Sequence, residues 1–171
     1  VFIDSGPPAA PLLAAPQVLL GTGIALEWQY AEEGERPVQF QIYRSGSAFS
    51  SPASATLISG PQTELTHTDS VTADGTYYYG VVGLDNAENA SLMSNVVSVV
   101  YDQTQPVMQL SFDSPGPFGP GPLLLTLTSN ESLLDIPTLT VRPAGSPSPE
   151  VIALAQLDEL TYQGTFTIDS D

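Results

Sequence analysis

Short runs in which every second residue is apolar follow one another along most of the chain. A period of two puts the apolar side chains on one face of a β-strand. Turn-forming clusters rich in Gly, Pro, Asn, Asp and Ser separate the runs, among them Ser59-Gly60-Pro61. The pattern predicts an all-β protein with strands at residues 24–28, 38–42, 65–67, 77–81, 96–100, 107–112, 123–128, 138–141 and 162–168.

The segment 151–160 fits two kinds of secondary structure. A helix would place Val151, Leu154 and Leu157 on one face, whereas a strand would alternate Ile152 and Leu154 with polar or small neighbours. We predict a strand, because the flanking sequence has the pattern of β-structure.

Two proline-containing junctions divide the sequence. Proline interrupts strand pairing and stiffens a linker. We therefore predict three segments. The first, residues 1–11, is the end of a preceding module with its linker; a β-sandwich follows at 12–102, and a second at 103–171.

The two ends of the chain carry similar sequences. Residues 2–5 (Phe-Ile-Asp-Ser) resemble residues 166–170 (Phe-Thr-Ile-Asp-Ser) with one extra residue. Recurrence of this kind fits an array of similar modules. The sequence starts at Val1 rather than methionine, so we expect a piece of a longer protein, with its second sandwich incomplete at the C-terminus.

Charge and composition narrow the range of functions. The 171 residues include 19 acids against three arginines, for a net charge of −16, with no lysine and no cysteine. Such a polyanion is unsuited to nucleic acid or to an anionic bilayer, so we expect neither partner. Schiff-base lysines, thiolate nucleophiles, disulfides and cysteine-type zinc sites are excluded. No apolar run approaches the roughly 18 residues of a membrane helix, so we expect no membrane insertion.

Residues 12–100 resemble a bacterial fibronectin type III domain. Trp28 stands where that family has its second-strand core tryptophan, and Tyr77 where it has the tyrosine-corner residue. Gly83 and Glu88 are departures, since alanine and glycine respectively are commoner there. The supporting motifs are residues 40–45 (Phe-Gln-Ile-Tyr-Arg-Ser), 76–85 (Thr-Tyr-Tyr-Tyr-Gly-Val-Val-Gly-Leu-Asp), 86–91 (Asn-Ala-Glu-Asn-Ala-Ser) and 94–96 (Ser-Asn-Val).

Residues 103–171 resemble a bacterial immunoglobulin-like module. Its start is similar to the pattern Asp102-x-Thr104-x-Pro106, and residues 128–131, 137–141 and 162–168 are similar to later strands. Together the two resemblances imply tandem immunoglobulin-like β-sandwiches joined by short Pro-containing linkers.

Arrays of such modules serve as stalks, spacers and adhesive repeats in large secreted and cell-surface bacterial proteins. The resemblance therefore implies a non-enzymatic structural or interaction segment, secreted or at the cell surface. The expected partners are neighbouring modules, other surface proteins or further copies of the chain. The alternative is an accessory glycan-binding or spacer module of a secreted polysaccharide-degrading enzyme.

Few side chains are candidates for chemistry. The single histidine, His67, could form half of a proton relay with Asp69 on one face of a strand. No serine lies in a Gly-x-Ser-x-Gly turn, so we expect a structural histidine and no catalytic residue. Trp28 and the tyrosines could stack on sugars, but alternation directs several of them inward. We expect the first core to centre on Trp28, Phe40, Ile42, Tyr77, Tyr79 and Val81.

Acidic residues offer a calcium hypothesis, with Asp85, Glu88 and Asp102 as the candidate ligands. Asp85 and Glu88 share one turn with two asparagines. Asp102 and Asp4 lie at the junctions, where a cation could stiffen neighbouring modules. The alternative is that Asx side chains of the turn bond backbone amides. A separate run of acids that includes Glu35 is expected at a solvated hairpin tip.

Overall fold

The computed structural model describes residues 4–143, 145 and 147–169. Within them the chain forms antiparallel strands and one 3-10 turn at Pro52–Ser54, which confirms the all-β prediction. The strands are β1 (Leu12–Leu13), β2 (Gln17–Leu19), β3 (Gly23–Gln29), β4 (Gln39–Ser45), β5 (Thr56–Gln62), β6 (Thr66–Asp69), β7 (Gly75–Leu84), β8 (Ala90–Met93), β9 (Val97–Tyr101), β10 (Met108–Phe112), β11 (Gly121–Ser129), β12 (Leu139–Val141), β13 (Glu150–Ile152), β14 (Ala155–Gln156) and β15 (Thr161–Ile168).

The chain divides into two compact units, which we call unit 1 (Val1–Thr104) and unit 2 (Gln105–Asp171). The division falls two residues after the predicted end of the first sandwich. The preceding-module strand predicted at the N-terminus lies mostly outside the described residues, which start at Asp4.

Unit 1 consists of two antiparallel sheets that enclose one apolar core. In one sheet β3 pairs with β1, β2 and β6; in the other β4 and β7 are central, with β5, β8 and β9 beside them. The alternation predicted for β3 is observed, because Ile24, Leu26 and Trp28 are buried while Glu27 and Gln29 are exposed. Five of the six predicted core residues are buried, and Tyr77 packs against them partly exposed.

Four strands of unit 1 were not predicted: β1, β2, β5 and β8. The expected turn Ser59-Gly60-Pro61 lies inside β5. β5 tolerates Pro61 because it is an edge strand, whose pairing with β4 already shifts register near Ile42.

The N-terminal proline segment packs on unit 1 rather than forming a free linker. Pro8 and Pro11 are buried, and the backbone N–H of Ala9 donates to the Glu35 carbonyl at 2.8 Å. The boundary predicted after residue 11 therefore does not separate a spacer from the sandwich.

Unit 2 has a sheet in the order β10-β11-β15-β14, with the hairpin β12–β13 packed against it. Leu123, Leu125 and Ile152 form its buried centre. Gly164 makes the close approach possible, since a Cβ there would lie 2.7 Å from Cγ2 of Ile152. Residues 151–160 contribute to β13 and β14, as the strand interpretation predicted.

Candidate functional site

A charged network joins the two sheets of unit 1. Nη1 of Arg44, on β4, donates to both carboxylate oxygens of Asp69, on β6, at 3.0 and 2.9 Å. The hydroxyl of Tyr79, on β7, donates to Oδ2 of Asp69 at 2.8 Å. Asp69 and Tyr79 are buried, whereas about a third of the Arg44 side chain is exposed. The network satisfies a buried carboxylate and fixes the alignment of the two sheets.

Burial raises the pKa of the Tyr79 hydroxyl, and its hydrogen bond to Asp69 and the Asp69 charge raise that pKa further. Tyr79 therefore holds its proton more tightly in the folded than in the unfolded chain. Its contribution to stability is complete below the unfolded tyrosine pKa of about 10 and is lost as pH rises above that value.

We expect the wild-type chain to lose stability between about pH 9 and 11, and Tyr79→Phe to lose less over the same range. Urea-denaturation midpoints across that range measure the effect. Tyr78→Phe, on the same strand and partly exposed, is the matched control and should follow the wild type. Equal alkaline slopes for all three proteins would contradict the prediction.

His67 is not part of a proton relay. Both oxygens of Asp69 accept hydrogen bonds from Arg44 or Tyr79, and the His67 side chain makes none of the hydrogen bonds recorded among the described residues. His67 is half-buried beside a shallow groove of about 180 Å³, where Glu27 is the other ionisable residue lining the walls.

The aromatic residues serve mainly the core. Trp28 and Tyr79 are buried and cannot stack on a sugar. The Tyr77 hydroxyl donates to the Ala73 carbonyl at 2.7 Å, which is the contact expected of a tyrosine corner. Tyr43 and Tyr78 remain partly exposed.

The Asp85 side chain closes the turn after β7. Its Oδ1 accepts the backbone N–H groups of Ala87 and Asn89 at 2.7 and 2.8 Å, and its Oδ2 accepts Nδ2 of Asn89 at 2.8 Å. Burial raises the Asp85 pKa, but the bonds from Asn89 and Ala87 outweigh burial and leave that pKa below its ordinary value. The Asx-turn interpretation accounts for the two backbone contacts, and the Asn89 side chain occupies the second carboxylate oxygen.

Glu88 adopts a left-handed backbone conformation with φ of 64°. This conformation costs an L-residue about 1–2 kcal/mol and glycine almost nothing. The Glu88 side chain is exposed at the turn.

We expect Glu88→Gly to raise the free energy of unfolding by about 0.5–1 kcal/mol, because relief of strain exceeds the added entropy of the unfolded chain. Urea denaturation measures the change. Asn86→Gly in the same turn lacks a positive φ and should destabilise instead. A loss of stability in Glu88→Gly would show that its side chain makes a contact worth more than the strain.

The three calcium candidates do not converge. Asp85 and Glu88 follow the C-terminal end of β7, whereas Asp102 follows β9, whose last residue, Tyr101, pairs with Gly75 at the other end of β7. The Asp102 carboxylate instead accepts the Thr104 backbone N–H at 3.0 Å.

Asp85 lies near two other acids, Asp4 and Glu35, with carboxylate oxygens of all three within 4.8 Å. Sequence reasoning missed Glu35, since its loop is remote in sequence and is held by the Ala9 backbone contact. The cluster alone does not define a cation site, because the Asp85 oxygens are already bonded within the turn and the other two acids are exposed.

Mutual repulsion of the three carboxylates leads to a prediction. We expect Glu35→Gln to raise Tm by about 1–2 °C at low ionic strength, with the gain disappearing in high salt. Thermal melts with calcium and with a chelator provide the comparison, and Glu33→Gln in the same loop is the control. A calcium-dependent rise in the wild-type Tm that Glu35→Gln removes would contradict repulsion and establish a bound ion.

Asp74 holds the segment by which the chain leaves unit 1. The Oδ1 atom of Asp74 accepts a hydrogen bond from the Gln103 backbone N–H at 2.7 Å, and its Oδ2 atom accepts one from the Thr104 hydroxyl. The bonds from Thr104 and Gln103 lower the pKa of the Asp74 carboxyl below its ordinary value. Asp74 immediately precedes β7, so the exit segment is fastened to the pole where β7 begins.

The incoming segment is fastened to the opposite pole of unit 1. Nδ2 of Asn89 donates to the Asp4 carbonyl at 3.4 Å, and Asn89 lies beyond the last residue of β7. The ten residues of β7 separate the two poles, which at about 3.3 Å per residue is roughly 33 Å. The chain therefore enters and leaves unit 1 at opposite ends.

Comparison of the sequence with known protein families, and of the chain with curated proteins and solved structures, found no match. Among the described residues, no helix has the length and apolar character needed to span a bilayer.

Proposed function

We propose that the chain is a non-enzymatic structural segment of a secreted or surface-attached bacterial protein, in which each unit acts as a spacer in series. The observation that supports this most is the path through unit 1. The chain is held near Asn89 at one pole and near Asp74 at the other, so a load applied along the chain runs through the length of the sandwich.

Unit 2 supports the same proposal independently. Its first strand, β10, begins opposite Ser129 at the end of β11, whereas its last strand, β15, ends opposite Gly121 at the start of β11. The first and last strands of unit 2 therefore also meet opposite ends of the sheet. Because β10 and β15 both pair with β11, a load applied at these two ends runs along the sheet.

The side chains favour a structural over a catalytic role. The buried carboxylate Asp69 is neutralised by Arg44, and the most perturbed hydroxyl, Tyr79, is a donor within that network. The buried aromatic residues support no sugar-stacking surface, so a glycan-binding accessory module is the less favoured function.

Single-molecule pulling tests the proposal. Because the chain lacks cysteine, Ser5→Cys with Gln105→Cys provides a unique pair of attachment points across the two poles of unit 1. The control pair, Thr72→Cys with Gln105→Cys, loads one pole and peels β9 from β7. We expect unit 1 to unfold at clearly higher force across the poles.

Equal unfolding forces in the two geometries would reject the series-spacer proposal, since the direction of the chain through the sandwich would then have no mechanical consequence. Circular dichroism of each variant before attachment establishes that the cysteines leave the fold intact.

A further inference from the structure

Basic residues are scarce in this chain, and their positions matter to one class of enzyme. The 171 residues contain three arginines and no lysine. Endoproteases of the trypsin class cut after Arg or Lys, because a carboxylate in their specificity pocket pairs with the cationic side chain. The sequence therefore offers such an enzyme three bonds, those after Arg36, Arg44 and Arg142.

Proline follows two of the three arginines. Arg36 precedes Pro37 and Arg142 precedes Pro143, although proline accounts for only 16 of the 171 residues. The proline ring replaces the amide N–H and restricts the backbone of the residue before it. Serine proteases cut such bonds very poorly, because the ring crowds the nitrogen that must be protonated as it leaves. Only the Arg44–Ser45 bond has no proline after the arginine.

The two arginines that precede proline lie where a protease can reach them. Arg36 is exposed in the loop before β4, with its Cζ 5.1 Å from the centroid of the Tyr30 ring. Arg142 is exposed directly after β12, and its Nη2 donates to the Pro147 carbonyl at 3.2 Å. Exposed loops are the usual sites of proteolytic nicking. Proline therefore protects the arginines that the fold leaves accessible.

The third arginine is protected by strand pairing. The Arg44–Ser45 bond lies in β4, which pairs with β7 on one side and with β5 on the other. Arg44 itself is opposite Tyr79 of β7 and Thr56 of β5. Endoproteases bind a substrate as an extended segment separated from its neighbouring strands. Cleavage after Arg44 therefore requires an opened form of unit 1.

The Arg44 side chain is also occupied. Its Nη1 donates to both carboxylate oxygens of Asp69, at 3.0 and 2.9 Å, and its Cζ lies 5.7 Å from the centroid of the Tyr77 ring. The specificity pocket of a trypsin-class enzyme offers arginine the same kind of carboxylate partner. The enzyme can bind the guanidinium only after Arg44 has left Asp69.

We propose that the native chain resists endoproteases that cut after Arg or Lys, and that the Arg44–Ser45 bond is their one cleavage site, opened only when unit 1 unfolds. Cleavage adds one water molecule across this peptide bond and leaves a carboxylate on Arg44 and an amine on Ser45. The products are residues 1–44 and 45–171. Such resistance suits an exposed spacer, but the proposal rests on these residues and contacts alone.

Digestion of the native chain with trypsin, followed by mass spectrometry, tests the role of proline. We expect Pro143→Ala to be cut after Arg142 roughly a hundredfold faster than the wild type is cut at any bond, because the residue is exposed. Pro149→Ala is the matched control, since it removes a nearby exposed proline that does not follow arginine, and it should be as resistant as the wild type.

A glutamate-specific endoprotease is the control for accessibility. Glu32 and Glu33 are exposed in the same loop as Arg36. We expect this enzyme to cut the native wild type in that loop under conditions in which trypsin leaves the chain intact. Failure to cut would overturn the proposal, because rigid loops rather than the placement of arginine and proline would then explain the resistance.

Trp28→Phe tests whether the Arg44 bond opens by unfolding of unit 1. Trp28 is at the other end of β3 from Ile24, which pairs with Asp69, so the substitution does not touch the Arg44 contacts. When opening is fast relative to cleavage, the cleavage rate follows the population of the open form. The rate should rise by the same factor as the unfolding constant measured in urea, about tenfold. The surface variant Leu92→Ala should match the wild type.

Three further results would overturn the proposal. The first is cleavage of the native wild type after Arg36 or Arg142, and the second is resistance of Pro143→Ala equal to that of the wild type. The third is an equal rate of cleavage after Arg44 in Trp28→Phe and the wild type, which would show local opening of β4. None of these results bears on the mechanical role proposed for unit 1.

Discussion

Replacing Trp28 by alanine should lower the free energy of unfolding of unit 1 by about 3–5 kcal/mol, as for other fully buried large aromatic side chains. Trp28 is 2% exposed, and its ring meets that of Phe40 edge-on at a centroid distance of 5.5 Å. Alanine would leave a cavity at the centre of the core, between rigid sheets that cannot close around it.

The expected loss of stability in Trp28→Ala comes mainly from lost packing. Within the described residues, Nε1 of Trp28 has no hydrogen-bond partner, so the substitution breaks no bond and leaves no polar group behind. Trp28→Phe, which keeps most of the volume, should cost less than Trp28→Ala. Leu92→Ala is the surface control, because Leu92 is 82% exposed and should change stability by less than about 0.5 kcal/mol.

Urea denaturation followed by far-UV circular dichroism measures these differences with a signal that does not depend on the indole. A loss below about 1.5 kcal/mol for Trp28→Ala would mean that the core relaxes far more than large-aromatic truncations usually allow.

The second large effect is expected at Asp69. Asp69→Ala should destabilise unit 1 by about 3 kcal/mol, because it leaves the Tyr79 hydroxyl buried without an acceptor and Arg44 without its partner. The part of Arg44 that is exposed can be rehydrated, which keeps the cost below that of a fully buried ion pair.

A double-mutant cycle separates the two contributions. Tyr79→Phe alone should cost about 1 kcal/mol, since Arg44 still pairs with Asp69. In Asp69→Ala/Tyr79→Phe no hydroxyl remains unpaired, so the combined loss should be smaller than the sum of the single losses. Strict additivity would show that Asp69 and Tyr79 do not act as a unit.

Alternation was sufficient to predict the strands that have one buried face. The β3 pattern of Ile24, Leu26 and Trp28 placed these side chains in the core correctly, because a single-residue slip would expose them all. The Tyr77 hydroxyl has the backbone contact that its position in the resembled motif implies.

The edge strand β5 could not be predicted in this way. Little of it is buried, so its sequence carries no strong period, and Gly60 with Pro61 is typical of a turn. Only its place beside β4, where one side of the backbone is unpaired, makes proline acceptable there.

Contacts between residues distant in sequence could likewise not be predicted from the alternation of apolar and polar residues. Asp69 was weighed as a partner of His67 two residues away, yet it pairs with Arg44 on the opposite sheet. The approach of Glu35 to Asp85 depends on how a loop and the N-terminal segment fold together. Neither leaves a local signal in the sequence.

Gly83, which departs from the pattern of the resembled family, also packs against a residue that is distant in sequence. A Cβ at position 83 would lie 2.5 Å from Cβ of Pro37, so alanine would displace the loop before β4. Glycine here reflects a neighbour that is remote along the chain.

Gly23 lies directly against the strand that carries Asp69. Its φ is 132°, and a Cβ there would fall 2.1 Å from the Asp69 carbonyl oxygen. Any other residue would push β6 away and carry the carboxylate out of reach of Arg44 and Tyr79. Among homologous sequences, glycine at this position and an acid at position 69 should accordingly covary.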